Sequence, residues 1–282
     1  MAWMWLISNT RRKTRPTPMT DSHTKAPEDD VPMGLFEHLS ELRSRLIRAL
    51  LGVIPGFAVA WVLREELLDL LVQPLALHWK QLGFDENPSL HFANPVDPFM
   101  AYLKIAFVVG VLFAAPWIFW QLWCFVAPGL YRKEKTIALP FVMASTVCFV
   151  GGAFFGYLVV FPGMFDTLLG FAGPLPSGKI KIVPTIMIGE YLTFATRLLI
   201  AFGVVFEVPV VVTTLSALRL VTSRQLLRFS RWWVLIAAIV AAILTPPDVG
   251  SQLVMLAPMI ILYFVSVGMA FLIERFRWRA KE

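Results

Sequence analysis

Charge is what this sequence has least of. Asp, Glu, Lys and Arg make up 16% of its 282 residues, against about 25% in a soluble domain. Apolar residues make up 57%, and the mean hydropathy is +0.69. No water-soluble fold hides that much apolar surface, and disorder needs the opposite composition. Cysteine is nearly missing. Cys124 and Cys148 lie in or beside apolar runs and form no disulfide or metal pattern. The four histidines are scattered, and the chain has no HExxH, no GxSxG and no phosphate-binding loop. Catalytic chemistry, cofactors and metals are therefore not expected. Nothing resembles the carbonyl-rich filter of a potassium channel. No internal repeat suggests the inverted halves of many secondary transporters. The net charge of +6 would suit a nucleic-acid partner only as one basic face, and its distribution argues for a membrane instead.

What is present is a series of apolar runs. A bilayer core of roughly 30 Å needs about 20 apolar helical residues. Six candidates fall at about 46–63, 99–122, 137–161, 191–216, 232–244 and 253–273. They are too apolar for surface helices. The fifth is stopped by Thr245-Pro246-Pro247-Asp248 after about 13 residues, roughly 20 Å of helix. Either it is short enough to thin the bilayer or it starts earlier. Of the 25 Lys and Arg residues, 19 fall in the tails and in the loops after the second and fourth spans. Four (Arg64, Lys80, Lys179, Lys181) fall on the other side, and Lys104 and Arg197 lie within spans. The positive-inside rule then predicts both termini in the cytoplasm.

Residues 1–33 read as a flexible cytoplasmic tail and 274–282 as a basic one, flanking a membrane domain over 34–273. Arg11-Arg12 fails as a targeting signal, because Lys13-Thr14-Arg15-Pro16 follows instead of an apolar stretch. Met19 and Met33 offer alternative starts. Over 34–48, Leu35, Leu39, Leu42 and Leu46 recur at helical spacing, which predicts an amphipathic helix feeding the first span. Residues 64–98 and 162–190 read as outer loops, the first with six acidic side chains and two basic ones. In Gly152-Ala-Phe-Phe-Gly156 the spacing permits close helix approach, more readily inside the bundle than between copies.

Glu207 is the notable polar residue within a span, because a charged side chain there is costly unless partnered or hydrated. Pro209 loosens the helix beside it. Glu207 reads as part of a polar pocket or as a protonated carboxyl bonded to a neighbouring helix. Arg197 and Lys104 read as side chains that snorkel to the outer interface. Glu41 and Glu134 lie among arginines and lysines on the basic side, where such pairs are usually solvated and weak. The residues alone thus reach a six-helix inner-membrane protein with one intramembrane carboxyl. They leave open a proton-coupled solute transporter using Glu207, or a structural scaffold.

Six ordered motifs go further. The segment Phe36-Glu-His-Leu-Ser-Glu41-Leu-Arg43-Ser-Arg45-Leu46 resembles the N-terminal signature of the TatC family, the signal-peptide receptors of the twin-arginine translocase. The others are Pro98-Phe-Met-Ala-Tyr-Leu-Lys104; Ala115 to Tyr131 with Glu134 after it; Phe155-Gly-Tyr157 leading to Phe161-Pro162; Ala201-Phe-Gly203-Val-Val-Phe-Glu207-Val-Pro209; and Leu244-Thr-Pro-Pro-Asp248. The resemblance implies an all-α fold of six transmembrane helices in a concave, glove-like bundle with short fifth and sixth helices. It implies a receptor for the twin-arginine signal peptides of folded precursors. Such a receptor works in the inner membrane with TatA- and TatB-type single-span partners and further copies of itself. Transport is driven by the proton-motive force, without nucleotide hydrolysis. By the same resemblance, Glu41 and Glu134 receive the arginines, Phe125 lies beside that site and Arg43 orients Glu41. Glu207 matches an intramembrane glutamate, with Gln252 and Thr245 as polar companions. Pro74 matches a partner-facing loop proline, and Asp248 a structural turn.

Overall fold

The computed structural model describes residues 35–81, 88–126, 138–174, 179 and 181–279. The chain divides into two compact units, Met1–Leu39 and Ser40–Glu282. In the first, the described residues are the opening turn of a helix. The second holds nearly all of the architecture.

Among the described residues, six helical stretches are long and apolar enough to cross a membrane: His38–Val62, Asp97–Val126, Ala138–Leu169, Ile188–Ala217, Ser223–Leu244 and Val249–Phe276. The first belongs to α1 (Leu35–Val62), which runs without a break from the amphipathic stretch into the span. The second is α3 (Asp97–Val126). The third joins α4 (Ala138–Phe155), a π-helical turn (Gly156–Val160) and α5 (Phe161–Leu169). Pro162 explains that turn. It has no N–H, and its ring would meet the Leu158 carbonyl in a regular α-helix. Widening the preceding turn to the bond from Phe161 N–H to Gly156 O relieves the clash. The remaining spans are α6 (Ile188–Ala217), α7 (Ser223–Leu244) and α8 (Val249–Arg279).

Four expectations change. Residues 64–98 are not simply a loop. They contain α2 (Arg64–Gln81) and the short strand β1 (Leu90–His91), which pairs in parallel with β4 (Ile186–Met187). Residues 162–190 likewise begin as helix and include the ladder of β2 (Gly173–Pro174) with β3 (Lys181–Ile182). The fifth helix starts at Ser223 rather than Trp232. Thr222 caps it reciprocally with Gln225, a strong N-terminal signal. At 22 residues, or about 33 Å, α7 is the shortest of the six spans but not a half-length one. The sixth, at 28 residues, is not short at all.

The core lies on α3 and α6. In their apolar stretches 44% of residues are buried within the protein, against 11% for α1 and 17% for α7. Leu192, Leu198 and Phe202 of α6 are fully buried beside Ile105 of α3, Phe161 and Met164 of α5, and Met255 of α8. Outward-facing Leu46, Val147, Leu158, Ile239 and Ile261 are more than half exposed, as lipid-facing side chains should be.

Helix contact in lipid depends on close approach, since the tails are as apolar as the side chains. A Cβ on Gly152 would stand 2.5 Å from the Phe202 carbonyl oxygen, and one on Gly203 2.8 Å from the Phe149 ring. The Gly152/Gly156 spacing therefore serves packing of α4 on α6 inside the bundle. A similar crossing joins α1 and α3. A Cβ on Gly52 would run into the Trp117 ring, and one on Gly56 would stand 2.8 Å from the Gly110 carbonyl.

The α6 terminus is unusual. Leu220 N bonds Leu215 O and Arg219 N bonds Ser216 O, the bond pair of a Schellman motif. Its left-handed position, φ 65°, is filled by Arg219 where glycine is favoured.

Two stability predictions follow from this packing. Gly152→Ala should lower the thermal midpoint in detergent by the equivalent of about 1–3 kcal/mol, whereas Gly151→Ala, whose Cβ meets nothing within 4 Å, should leave it unchanged or raise it. Equal midpoints for the two variants would show that α4 and α6 are not in backbone contact. Arg219→Gly should raise the midpoint, by up to about 1 kcal/mol; a fall would mean that the arginine side chain contributes more than its backbone costs.

Candidate functional site

On the first turns of α1, Glu41 and Arg45 stand four residues apart and so share a helix face. Arg45 Nη2 lies 3.3 Å from Glu41 Oε1, and Nη1 donates to Gln121 Oε1 of α3 at 3.4 Å. The guanidinium bridges the two helices through long, adjustable bonds. Gln121 is 4% exposed and Glu41 is mostly buried, with 19% of its side chain exposed. Glu41 Oε2 is buried and has no hydrogen-bond partner among the described residues. A buried carboxylate oxygen left so is costly.

Trp117, Gln121 and Phe125 follow one another at intervals of four and form one stripe on α3. Trp117 Nε1 donates to the Arg48 carbonyl at 2.9 Å and its ring lies over Gly52. Phe125 is half-buried in the last turn. The expectation for Arg43 changes: it is exposed, and Arg45 makes the pair with Glu41. Neither Arg45 nor Gln121 was singled out from the sequence. The signal for Arg45 was its i,i+4 spacing from Glu41; the 76-residue separation of Arg45 and Gln121 hid theirs. Glu134, the other expected carboxylate, lies outside the described residues.

Glu207 lies on α6 ten residues, about 15 Å, from the Ala217 end. It faces Ser145 and Cys148 of α4. Glu207 Oε1 and Ser145 Oγ are both buried and take no hydrogen bond among the described residues. Pro209 is buried just beyond. The other expected residues do not gather here. Thr245 and Gln252 flank the α7–α8 turn, at the opposite face from the Ala217 end of α6. Thr245 Oγ1 donates to Ala241 O within α7, and Gln252 Nε2 donates to Ala238 O at 3.3 Å. Asp248 caps α8, accepting bonds from Ser251 N and Ser251 Oγ. These bonds hold its carboxyl below the usual carboxylate range. Pro74 is buried inside α2 rather than in a loop. Its carbonyl accepts from His78 Nδ1 at 2.7 Å, while His78 Nε2 lies 3.3 Å from Asp166 of α5. Lys104, expected to anchor at the outer interface, donates to Thr193 Oγ1 at 2.6 Å and ties α3 to α6. Among the described residues no group of three or more His, Cys, Asp or Glu could hold a metal.

The arrangement defines a multi-pass α-helical membrane protein with a carboxylate–guanidinium–amide cluster at one face and a carboxyl beside Ser145 in its interior. The family model for the Sec-independent protein translocase protein TatC matches residues 37–258. The TatC protein of Desulforapulum autotrophicum is 41% identical over 231 residues, 82% of each chain. That of Aquifex aeolicus is 32% identical over 86% of this chain and 97% of its own. A crystal structure of the twin-arginine translocase receptor TatC superposes with a TM-score of 0.73 at 31% identity, covering 84% of this chain and all of that one. The chain belongs to the TatC family.

The Asp248 cap carries a pH dependence. A carboxyl depressed in the folded state stabilises it fully above the ordinary carboxylate range, and that contribution is lost as pH falls through the lowered value. Asparagine caps equally well without titrating. In thermal melts from pH 7 to pH 3, Asp248→Asn should therefore show a shallower fall in midpoint than the native chain. Parallel curves would mean that the cap does not titrate in this window.

Proposed function

We propose that this chain is the signal-peptide receptor subunit of a twin-arginine translocase and has no enzymatic activity of its own. One observation carries the reading: the buried, unpartnered Oε2 of Glu41 beside the Arg45–Gln121 bridge. Such an oxygen accepts a strong charge-assisted bond from an incoming guanidinium, and an arginine fork meets a carboxylate in a way that lysine cannot. Arg45 is an internal arginine already in part of that position. An arriving twin-arginine pair would take over Glu41 while Arg45 keeps Gln121. Glu134 supplies the second carboxylate, and Phe125 the adjoining aromatic wall. The peptide's apolar segment then passes along the bundle toward Glu207, which acts in a later step.

In this reading the protein sits in the cytoplasmic membrane with both termini inside, as the distribution of Lys and Arg supports. It works with TatA- and TatB-type single-span proteins and other copies of itself, driven by the proton-motive force.

The test places a photo-crosslinker beside Glu134 in native membranes and offers a twin-arginine signal peptide and its twin-lysine variant. Crosslinking to the first alone is expected. Glu41→Ala or Glu134→Lys should each cost about tenfold to a hundredfold in affinity, the loss of one charge-assisted bond, and abolish the preference for arginine. Retained discrimination in either variant would overturn the assignment of that residue. Absence of any crosslink to folded protein would return Glu207 to the centre, as the carboxyl of a proton-coupled transporter.

A further inference from the structure

A groove of about 500 Å³ lies between α6 and α7. It runs from Arg197 to Val208 on one wall and from Trp233 to Leu244 on the other, and Met259 of α8 completes the lining. Among the described residues, Arg197 is its only charged lining residue. Each wall spans 12 residues, about 17 Å of helix, a length close to one leaflet of a hydrocarbon core of roughly 30 Å. The walls are antiparallel, so Arg197 stands opposite Leu244 at one end and Val208 opposite Trp233 at the other. Trp233 closes the deep end rigidly. It stacks on Tyr263 with ring centroids 5.0 Å apart, and its Nε1 donates to the Met259 carbonyl at 3.3 Å.

Arg197 is exposed and makes no hydrogen bond or ion pair among the described residues. Glu190, two turns nearer the start of α6, is also exposed and forms no ion pair with it. A helix of 30 residues is about 45 Å long, so if centred it overhangs the hydrocarbon by about 7 Å at each end. Arg197, about 14 Å from the start of α6, then lies just inside the boundary, from which its side chain reaches the headgroup level. A second apolar crevice of about 450 Å³, between α2, α3 and α4, has no charged lining residue.

We infer that the α6–α7 groove binds one anionic phospholipid, with the phosphate on Arg197 and one acyl chain lying between the helices as far as Trp233. The charge at one end, the apolar walls and the one-leaflet length together fit an amphiphile with a negative head. The bound lipid would complete the lightly buried face of α7 and fix its spacing from α6.

The full chain, purified and delipidated in detergent, is titrated with phosphatidylglycerol and with phosphatidylcholine of the same acyl chains, and adducts are counted by native mass spectrometry. One phosphatidylglycerol per chain should be retained about fivefold better than phosphatidylcholine, the preference expected of one interfacial ion pair. Arg197→Leu should remove the preference and Arg197→Lys restore it in part. Val204→Trp, which fills the groove from an exposed position, should weaken both lipids alike. Glycerol phosphate alone should not compete. Phosphatidylglycerol preference surviving in Arg197→Leu, native retention in Val204→Trp, or competition by glycerol phosphate would each overturn the inference. So would dimers that Val204→Trp dissolves without any lipid adduct, since the occupant would then be a second copy. If Val204→Trp does not fold, Arg197→Leu, at an exposed residue, still decides the matter.

Discussion

In hydrocarbon no hydrophobic effect drives one helix against another, so this bundle depends on how closely its backbones approach. A tight backbone approach occurs where Gly152 meets the Phe202 carbonyl, and on the same crossing Gly203 meets the Phe149 ring. That crossing presses α4 onto α6, and α6 in turn supports α3 and α8 through Leu192, Leu198 and Phe202. It also fixes what Glu207 faces, because Ser145 and Cys148 lie on the same helix as Gly152. The crossing of α1 and α3 at Gly52, Gly56 and Gly110 does the same for Glu41 and Gln121. Each polar site is thus set one or more turns from a glycine contact.

The second theme is how polar atoms are quenched. Thr146, Thr167, Thr193, Thr196, Thr213, Thr245 and Ser266 each return a hydroxyl to the carbonyl four residues earlier. Such local bonds satisfy the side chain without a partner helix. Against that background, buried Glu41 Oε2, Glu207 Oε1 and Ser145 Oγ stand out. Two of these belong to carboxyls, which are the groups most costly to leave so. Carboxylates whose task is structural are fully engaged. Asp248 caps α8, and Glu274 accepts from both the backbone N–H and the hydroxyl of Ser223 at the start of α7, where the helix dipole favours an anion.

Much of this was legible in the chain. Six apolar runs gave six spans, since length and hydropathy are local properties that the bilayer thickness reads directly. Glu207 stood out because a carboxyl inside a span is conspicuous against so little charge, whereas Glu41, beside arginines, read as a weak solvated pair until the motif resemblance singled it out. The bounds of α7 were misjudged because its first two turns are polar: Arg224, Arg228 and Arg231 sit in the helix, not in the loop before it. The helix α2 was hidden by Pro74, which lies inside it although proline usually breaks a helix. Lys104 looked like an anchor because Thr193 is 89 residues away.

The sequence by itself determined the number of crossings, the asymmetry of charge, the family and the candidate carboxyls, because each depends on composition or on spacing along a few turns. Only the tertiary structure decided that Arg45 rather than Arg43 holds Glu41, that Gln121 completes the bridge, and that Gly152 packs inward. It alone revealed the groove that Arg197 heads. Those outcomes rest on which faces of distant helices meet. Helical periodicity places a residue on a face, but only packing in three dimensions decides what that face touches.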